Sequence, residues 1–371
     1  MCKTILLDAP NLGDIEKQYL AKAIESGFVS SVGPYVPEFE GKFAEYVGAK
    51  YAVSVQSGTA AIHIALYESG IGKGDEVIVP SLTFIATINP ILYVGAKPVI
   101  VDVNRDTWNT SPEEIEKAIT KRTKAIIPVH IYGNPCDMDR IMAIASRHGL
   151  YVIEDATESL GATYKGKHTG TFGQFGCFSF NGNKLITTGG GGMVVTNNGD
   201  SAKHIKFLVN QARDSSKGYY HPEMGFNCRM TNIEAALGLA QLTKINSFLK
   251  KKRAFWDSYH DNLKDLPFVK FQQEYHGACS SWWLTCIKVS CNIEPDKLSL
   301  ELNKMNIQNR RIFWPANLLP YLKKFSKPCP NSYDIYQKGL CLPSSTANTV
   351  NDVTRASLRI RQVIVERYLT D

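Results

Sequence analysis

The chain has 371 residues, 44% hydrophobic and 21% charged, which is typical of a globular protein with room for one large and one smaller domain. It lacks any run of about 18 apolar residues, and its first apolar run is too short for a signal peptide, so we expect neither a membrane span nor a leader. The formal net charge is +7, but the basic residues are dispersed. The one short run, KKKR at 250–253, is typical of a solvated helix face, so we expect no nucleic-acid partner.

The nine cysteines are scattered, odd in number and without a Cys-x-x-Cys pair. This spacing argues against a disulfide framework and against a structural zinc site, and it is typical of a reducing compartment. We therefore expect a cytoplasmic protein with no bound metal.

Between about 50 and 200, β-rich and helix-like segments alternate. In chain order the first three strands are predicted at YAVSV, DEVIVP and KPVIVDV and the next two at KAIIPVHIYG and YVIEDA; helices are predicted at TAAIHIALYESG, FIATINPILYVG, SPEEIEKAIT and DMDRIMAIASRHG. Such alternation predicts βαβ units and a parallel-type sheet. A long helix is predicted over about 232–262 and a smaller α+β unit beyond 265. We place a large α/β domain at 1–245 and a linking helix with a small α+β domain at 246–371.

Ligands of open α/β sheets bind outside the carboxyl ends of the strands, so we expect the site residues there. Ser57-Gly58-Thr59 joins a strand to a helix, where free N–H groups favour a phosphate, although plain capping of the helix explains the same residues equally well. Asp155 ends the strand YVIED and needs a cation or several donors if it is buried, and a structural ion pair would also satisfy it.

Lys184 lies in SFNGNKLITTGGGG, a stretch that otherwise looks buried. A desolvated lysine loses proton affinity and becomes an amine nucleophile, although a lone lysine is more often a surface residue whose chain snorkels to water. The glycines at 189–192 permit unusual backbone angles or close approach to a ligand, or simply a tight turn.

Together these signals indicate pyridoxal phosphate, which needs a phosphate cradle, an acid beside its pyridinium nitrogen and a lysine that forms a Schiff base. Gly58 and Thr59 would supply the cradle, Asp155 the acid and Lys184 the amine. Phe84 could cover a face of the ring, and it could equally be a core aromatic.

The chain resembles the DegT/DnrJ/EryC1/StrS family of pyridoxal-phosphate-dependent nucleotide-sugar aminotransferases. The resemblance covers most of the first 245 residues in the expected order, including SSVGPYVPEFEGKFAEYVGAKYAVSVQSGTAAIHIAL, GDEVIVPSLTFIATINPILYVGAKPVIVDV, VIEDATESLGATYKGKHTGTFGQFGCFSFNGNKLITTGGGGMVVT and GFNCRMTNIEAALGLAQL. It implies the aspartate-aminotransferase-like fold (fold type I), with a mostly parallel seven-stranded sheet.

The resemblance also implies roles for single residues. Lys184 would carry the cofactor, Asp155 would pair with the ring nitrogen, and Phe84 would stack on the ring. Ser179 would bind the phosphate, and Asn227 would reach the phosphate of a neighbouring subunit, which makes an active homodimer obligatory.

Two positions depart from the family pattern. Gly190 stands where the family usually has glutamate, and Glu158 stands where glutamine or histidine is common. A carboxylate at residue 158 would repel the ring hydroxyl unless it is protonated or turned away. Both departures resemble the branch associated with legionaminic acid and related aminosugars, and perosamine synthases are the close neighbours.

The resemblance implies transfer of an amino group from L-glutamate to C4 of a nucleotide-linked 4-keto-6-deoxy sugar, in aminosugar synthesis for surface glycans. Candidate substrate contacts are Arg229, Arg311 and Trp314, with Arg310 also able to meet a diphosphate or a base. The same residues could be surface charges around a packed tryptophan.

Three other functions were weighed. Dehydratases of this fold have histidine in place of the lysine, so Lys184 argues against one. The glycines of GTFGQFG at 170–176 do not have the spacing of a dinucleotide-binding loop, which argues against a nicotinamide-dependent dehydrogenase. A non-catalytic regulatory or binding protein remains the alternative from another class, although Lys184 and Asp155 are both retained.

Overall fold

The structure is a computed structural model that describes residues 3–290 and 293–368. The helices are α1 (Asp14–Glu25), α2 (Tyr35–Val47), α3 (Gly58–Glu68), α4 (Asn89–Tyr93), α5 (Pro112–Ala118), α6 (Met138–His148), α7 (Gly199–Leu208), α8 (Asn232–Leu242), α9 (Ile245–Leu263), α10 (Pro295–Lys304), α11 (Pro330–Lys338) and α12 (Val350–Tyr368). The strands are β1 (Tyr51–Val55), β2 (Glu76–Pro80), β3 (Lys97–Val101), β4 (Thr123–Ile126), β5 (Tyr151–Asp155), β6 (Thr163–Tyr164), β7 (Lys167–His168), β8 (Phe175–Ser179), β9 (Gly192–Thr196), β10 (Val269–Phe271), β11 (Ala278–Cys279), β12 (Cys286–Val289), β13 (Arg310–Arg311) and β14 (Gly339–Cys341).

The large sheet has seven strands in the order β1-β9-β8-β5-β4-β2-β3. Only β9 runs antiparallel to its neighbours β1 and β8, and the other pairings are parallel. Strands such as β2 and β9 are buried along their whole length, which explains their nearly continuous apolar sequence. The expected fold, a mostly parallel seven-stranded α/β sheet with a further α+β part, is confirmed.

The five strands predicted between 50 and 156 are present as β1 to β5. The helix predicted at FIATINPILYVG is shorter than expected, a single 3₁₀ turn at Ile85–Thr87 followed by α4. The long helix predicted over 232–262 is wrong in one respect, because α8 and α9 are separate helices. The break falls at Lys244, whose ammonium group turns to Glu16 at 2.7 Å, while the buried apolar face continues on both sides.

A second hydrophobic core joins α9, α10 and α12 to the four-stranded sheet β10-β12-β14-β13. The N-terminal segment belongs to this core, because Ile5 is buried in it and forms a parallel bridge with Ile307. The predicted boundary between residues 245 and 246 lies at the start of α9 and stays a prediction. Because the N-terminal segment packs in this second core, Asp8 lies close to β13, and this placement matters for the site described below.

The basic run KKKR at 250–253 is not a solvated face throughout, so that interpretation is wrong at one position. Lys252 is only 4% exposed, and its Nζ donates to the carbonyl oxygens of Trp283, at 2.7 Å, and Ser344. Burial lowers the pKa of Lys252 to about 7. The described helices include none with the length and apolar composition of a membrane span.

Candidate active site

A cavity of about 310 Å³ lies at the carboxyl ends of β1, β2, β5 and β8, the position expected for a ligand site in such a sheet. Eight of the candidate site residues named from the sequence line it: Gly58, Thr59, Phe84, Asp155, Glu158, Ser179, Lys184 and Arg310. The fold thus brings together residues that are far apart in the chain, since 126 positions separate Gly58 from Lys184. Within the described residues no group of three or more histidine, cysteine or acidic side chains could hold a metal ion.

One end of the cavity is the start of α3. Ser57 caps this helix, since its Oγ accepts the Ala60 N–H at 3.1 Å, so the capping explanation holds. The N–H groups of the next residues, Gly58 and Thr59, have no acceptor within the helix itself at these first positions, and the start of a helix favours an anion. A Cβ on Gly58 would lie 2.8 Å from Thr157 Cγ2 and 2.9 Å from Ser179 Cβ. Glycine at this position therefore lets Ser179 and Thr157 come close to the helix start.

The glycine run packs against the same turn. Gly191 has φ +100°, and its N–H donates to the Gln56 carbonyl at 2.7 Å. A Cβ on Gly192 would lie 2.5 Å from the carbonyl carbon and oxygen of Ser57. Gly192 is thus required by the close approach of two backbones and Gly191 by its positive φ, and they fix the turn that precedes α3. Gly190 has no such need, since a Cβ there would meet only Glu234 Oε1 at 3.5 Å and the Gln56 carbonyl at 3.6 Å.

Lys184 follows β8 and reaches back into the cavity with a side chain that is 13% exposed. Its Nζ lies 4.1 Å from the centre of the Trp283 ring and 3.8 Å from Glu158 Oε1. Burial lowers the pKa of Lys184, and the carboxylates of Glu158 and Asp155 partly oppose that shift. The side chain therefore has the desolvated environment that makes a lysine nucleophilic.

Asp155 is the last residue of β5 and is buried. Thr87 Oγ1 donates to its Oδ2 at 2.7 Å, and the Thr157 N–H donates to its Oδ1 at 3.1 Å. Two donors fix the plane of the carboxylate, and among the described residues no lysine, arginine or histidine forms an ion pair with it within 4.0 Å. A buried carboxylate with this support is suited to a cationic ring nitrogen.

Glu158 is buried beside Lys184, and its other oxygen is turned to the protein. The Tyr132 N–H donates to Glu158 Oε2 at 2.8 Å. Burial raises the pKa of Glu158, and Lys184 and the Tyr132 N–H act in the opposite direction. One oxygen of Glu158 is thus held by a backbone donor, while the other, Oε1, faces Lys184 in the cavity.

Phe84 and Trp283 both border the cavity, but only Phe84 was predicted from the sequence as a site residue. Phe84 is 54% exposed and lies 5.6 Å from the Phe313 ring, so it is not a core aromatic and is free to cover a flat ligand. Trp283 is buried and donates from Nε1 to the Asn183 carbonyl at 2.8 Å. Trp283 was not among the site residues predicted from the sequence. The pattern SSWWLT shows an apolar stretch but does not indicate which cavity either tryptophan borders.

The predicted substrate contacts are not brought together. Arg311 lies outside the cavity, where its guanidinium donates to the carbonyls of Gly339, Tyr336 and Gln337 and pairs with Asp296. Trp314 is 59% exposed and packs on Tyr336 at 4.4 Å, and Arg229 does not line the cavity either. Arg310 lines it instead, because successive residues of β13 point to opposite faces.

Asn227 is exposed and does not line the cavity of its own chain. Its backbone forms an antiparallel bridge with Asn210. The contact expected with the phosphate of a neighbouring subunit stays a prediction.

Comparisons with known proteins were made on the whole chain. The profile of the DegT/DnrJ/EryC1/StrS aminotransferase family matches residues 10–361. GDP-perosamine synthase of Escherichia coli O157:H7 is 43% identical over 92% of this chain and 93% of its own, and GDP-perosamine synthase of Caulobacter vibrioides is 40% identical over 97% and 98%. The structure of a putative sugar aminotransferase, Spr1654 from Streptococcus pneumoniae in its PLP form, superposes with a TM-score of 0.91 at 26% identity, covering 98% of this chain and 100% of that one.

The cavity residues fit pyridoxal phosphate, the cofactor that the family and its structures indicate. The first turn of α3 offers N–H groups to a phosphate, and glycine at position 58, where a Cβ would clash with Thr157 and Ser179, lets Ser179 lie beside that turn. At the other end of the cavity, Lys184 and Asp155 supply an amine and a carboxylate without an ion pair to each other within 4.0 Å. The named relatives are perosamine synthases and not specifically members of a legionaminic-acid branch.

Proposed function

The chain belongs to the DegT/DnrJ/EryC1/StrS aminotransferase family, and we propose that it transfers an amino group from L-glutamate to C4 of a nucleotide-linked 4-keto-6-deoxy sugar. The observation that carries the proposal is the buried Lys184, which shares one cavity with the carboxylate of Asp155 and the start of α3. The names of the relatives favour a GDP-linked, perosamine-type substrate. A legionaminic-acid-type aminosugar is the second candidate, on the departures at Glu158 and Gly190.

Pyridoxal phosphate supplies an aldehyde that carries the amino group and a ring that takes up the electron pair left at the donor's α-carbon. Lys184 would hold the aldehyde covalently through Nζ, and Asp155 would keep the ring nitrogen protonated. Ser179 and the N–H groups of Gly58 and Thr59 would hold the phosphate, while Phe84 would cover the ring.

Lys184 has a second task in this proposal. Once the donor's amine has displaced it, Nζ is free to take the proton from the donor's α-carbon and to return it on the other side of the transfer. A pKa lowered by burial favours the neutral amine that this step needs, and the Trp283 ring and Glu158 limit how far Nζ can move. We expect ping-pong kinetics.

We propose that the active unit is a homodimer in which Asn227 of one subunit binds the phosphate in the other. Asn227 is exposed, and so are aromatic side chains near it, Tyr219 and Tyr220, with Tyr93 on α4. Exposed apolar side chains of this size are typical of an interface. The same proposal places the enzyme in the cytoplasm, where all seven described cysteines would remain free thiols.

The test is incubation of the enzyme with L-glutamate and a panel of GDP-, UDP- and dTDP-linked 4-keto-6-deoxy sugars, with products identified by mass. We expect conversion of the GDP-linked sugar to the 4-amino product and of L-glutamate to 2-oxoglutarate. Absence of amination with every sugar would contradict the proposal, and preference for a UDP-linked sugar would contradict the perosamine-type assignment alone. A non-catalytic protein would convert none of them and would bind no cofactor covalently.

A further inference from the structure

The guanidinium of Arg310 is only half satisfied by the protein. Its Nη1 donates to Asp8 Oδ2 at 3.1 Å, whereas Nε and Nη2 are buried and have no hydrogen-bond partner in the described part of the chain. An unpaired buried donor on a charged group costs more than an ordinary lost hydrogen bond. Since Arg310 lines the cavity, these two N–H groups point to an anion that the protein itself does not supply.

The position of Arg310 relative to Lys184 limits which anion this is. Both groups border the same indole, with Lys184 Nζ at 4.1 Å and Arg310 Cζ at 5.9 Å from the centre of the Trp283 ring. An anion held by Arg310 therefore lies close to the reacting amine. The carboxylate of an amino acid is one bond away from the α-carbon that reacts, whereas the diphosphate of a nucleotide sugar is attached at C1, several bonds away from C4.

We propose that Arg310 binds the α-carboxylate of the amino donor through Nε and Nη2. These two N–H groups form one edge of the guanidinium, and that edge matches the two oxygens of a carboxylate. The inference rests on the proposed function and adds to it the residue that selects the donor.

Asp8 is the positioning residue for this contact. Its Oδ2 accepts from Arg310 Nη1 at 3.1 Å and from Asn183 Nδ2 at 3.2 Å. Asn183 directly precedes Lys184, so one carboxylate of the N-terminal segment links the donor-binding arginine to the loop that carries the amine. With Nη1 occupied by Asp8, the Nε and Nη2 edge is the part of Arg310 that remains for a ligand.

The test compares three amino donors that differ in whether a carboxylate lies beside the reacting amine. L-Glutamate has the α-carboxylate, and L-isoglutamine has a neutral amide in its place. The aminated sugar nucleotide, which donates its amine in the reverse half-reaction, has no carboxylate at all. Each half-reaction is followed in single turnover by the absorbance change of the bound cofactor, for the wild type, for Arg310→Gln and for Arg105→Gln, a surface control with the same loss of charge.

We expect the wild type to prefer L-glutamate to L-isoglutamine by about 10- to 150-fold, the range for hydrogen bonds to a charged group. Arg310→Gln should nearly abolish this preference and leave the reaction with the aminosugar within about threefold of the wild type, and Arg105→Gln should change neither. Arg310→Lys, which keeps the charge and loses the two-pronged edge, should retain part of the preference and serves if Arg310→Gln does not fold.

Equal losses with L-glutamate and L-isoglutamine would overturn the inference, and so would a loss confined to the aminosugar, which would assign Arg310 to the diphosphate. If the wild type accepts no donor, the proposed function itself fails. The two failures are therefore distinguishable.

Discussion

Lys184 Nζ lies 3.8 Å from Glu158 Oε1 in a buried part of the cavity. Each side chain favours the charged form of the other, whereas burial favours the neutral form of both. The family resemblance implies glutamine or histidine at this position, where this chain has Glu158. The pair therefore tunes the proton affinity of the lysine on which the chemistry depends.

Replacing Glu158 with glutamine removes that charge with little change in shape. We expect the pKa of Lys184 in the cofactor-free protein to fall further below its usual value, because one of the groups that raises it is gone. The measurement is the pH dependence of the rate at which an amine-directed reagent labels Lys184, read by peptide mass. Lys250, an exposed lysine, is the internal control. A midpoint for Lys184 that is unchanged or higher would contradict the account.

Asp155→Asn should separate catalysis from cofactor binding. The amide keeps the shape, and the Thr87 hydroxyl can rotate to accept from it, but the charge that would keep the ring nitrogen protonated is lost. We expect kcat to fall about 100-fold or more, while the bound cofactor falls by less than about twofold. Equal, small losses in kcat and in cofactor content, the latter measured by absorbance after release, would count against the role of Asp155.

The composite site predicts complementation between inactive chains. Chains with Lys184→Ala and chains with a bulky substitution of Asn227 should each be inactive, and a mixture should recover activity, because one of the two sites in a mixed dimer keeps both residues. With random mixing in equal amounts, activity should reach about a quarter of the wild-type value per site. A fully active monomer in sedimentation, or no recovery on mixing, would refute the composite site.

Lys252 provides a prediction about stability. Because burial lowers its pKa in the folded protein from 10.5 to about 7, the unfolded chain binds more protons in that interval and stability rises with pH across it. The wild type should gain about 3 kcal/mol over Lys252→Met between pH 7 and 9.5, at about 1.4 kcal/mol per pKa unit. Urea unfolding of both proteins between pH 6.5 and 9.5 measures the difference, with Lys250→Met as the exposed control. A difference that does not depend on pH would contradict the buried state of Lys252.

Most of the large sheet could be predicted because its strands are short, apolar and separated by helical periodicity. The site residues at strand ends, such as Asp155 and Ser179, followed from the same pattern together with the family resemblance. Register within β13 could not be predicted, since two adjacent arginines look alike in sequence and only the pairing of β13 with β14 decides which one faces the cavity. Both arginines were therefore candidates, and only Arg310 lines the site.

The remaining errors have a related cause. Trp283 and Lys252 are placed by contacts between residues that are distant in the chain, such as the hydrogen bond from Lys252 Nζ to the Trp283 carbonyl. A run of basic residues in a sequence indicates that the run as a whole is exposed. It does not indicate which single residue of the helix faces the protein interior. Asp8 likewise meets Arg310 across 302 positions, and no local pattern carries that information.

The central claim is that Lys184 holds the cofactor covalently, and reduction with borohydride followed by peptide mapping tests it most directly. We expect the absorbance band of the bound cofactor to disappear, and the reduced pyridoxyl phosphate group to be found on the peptide that contains Lys184. The Lys184→Ala variant should show no such label and no transamination. A label on another lysine, or near-normal transamination by Lys184→Ala, would contradict the account.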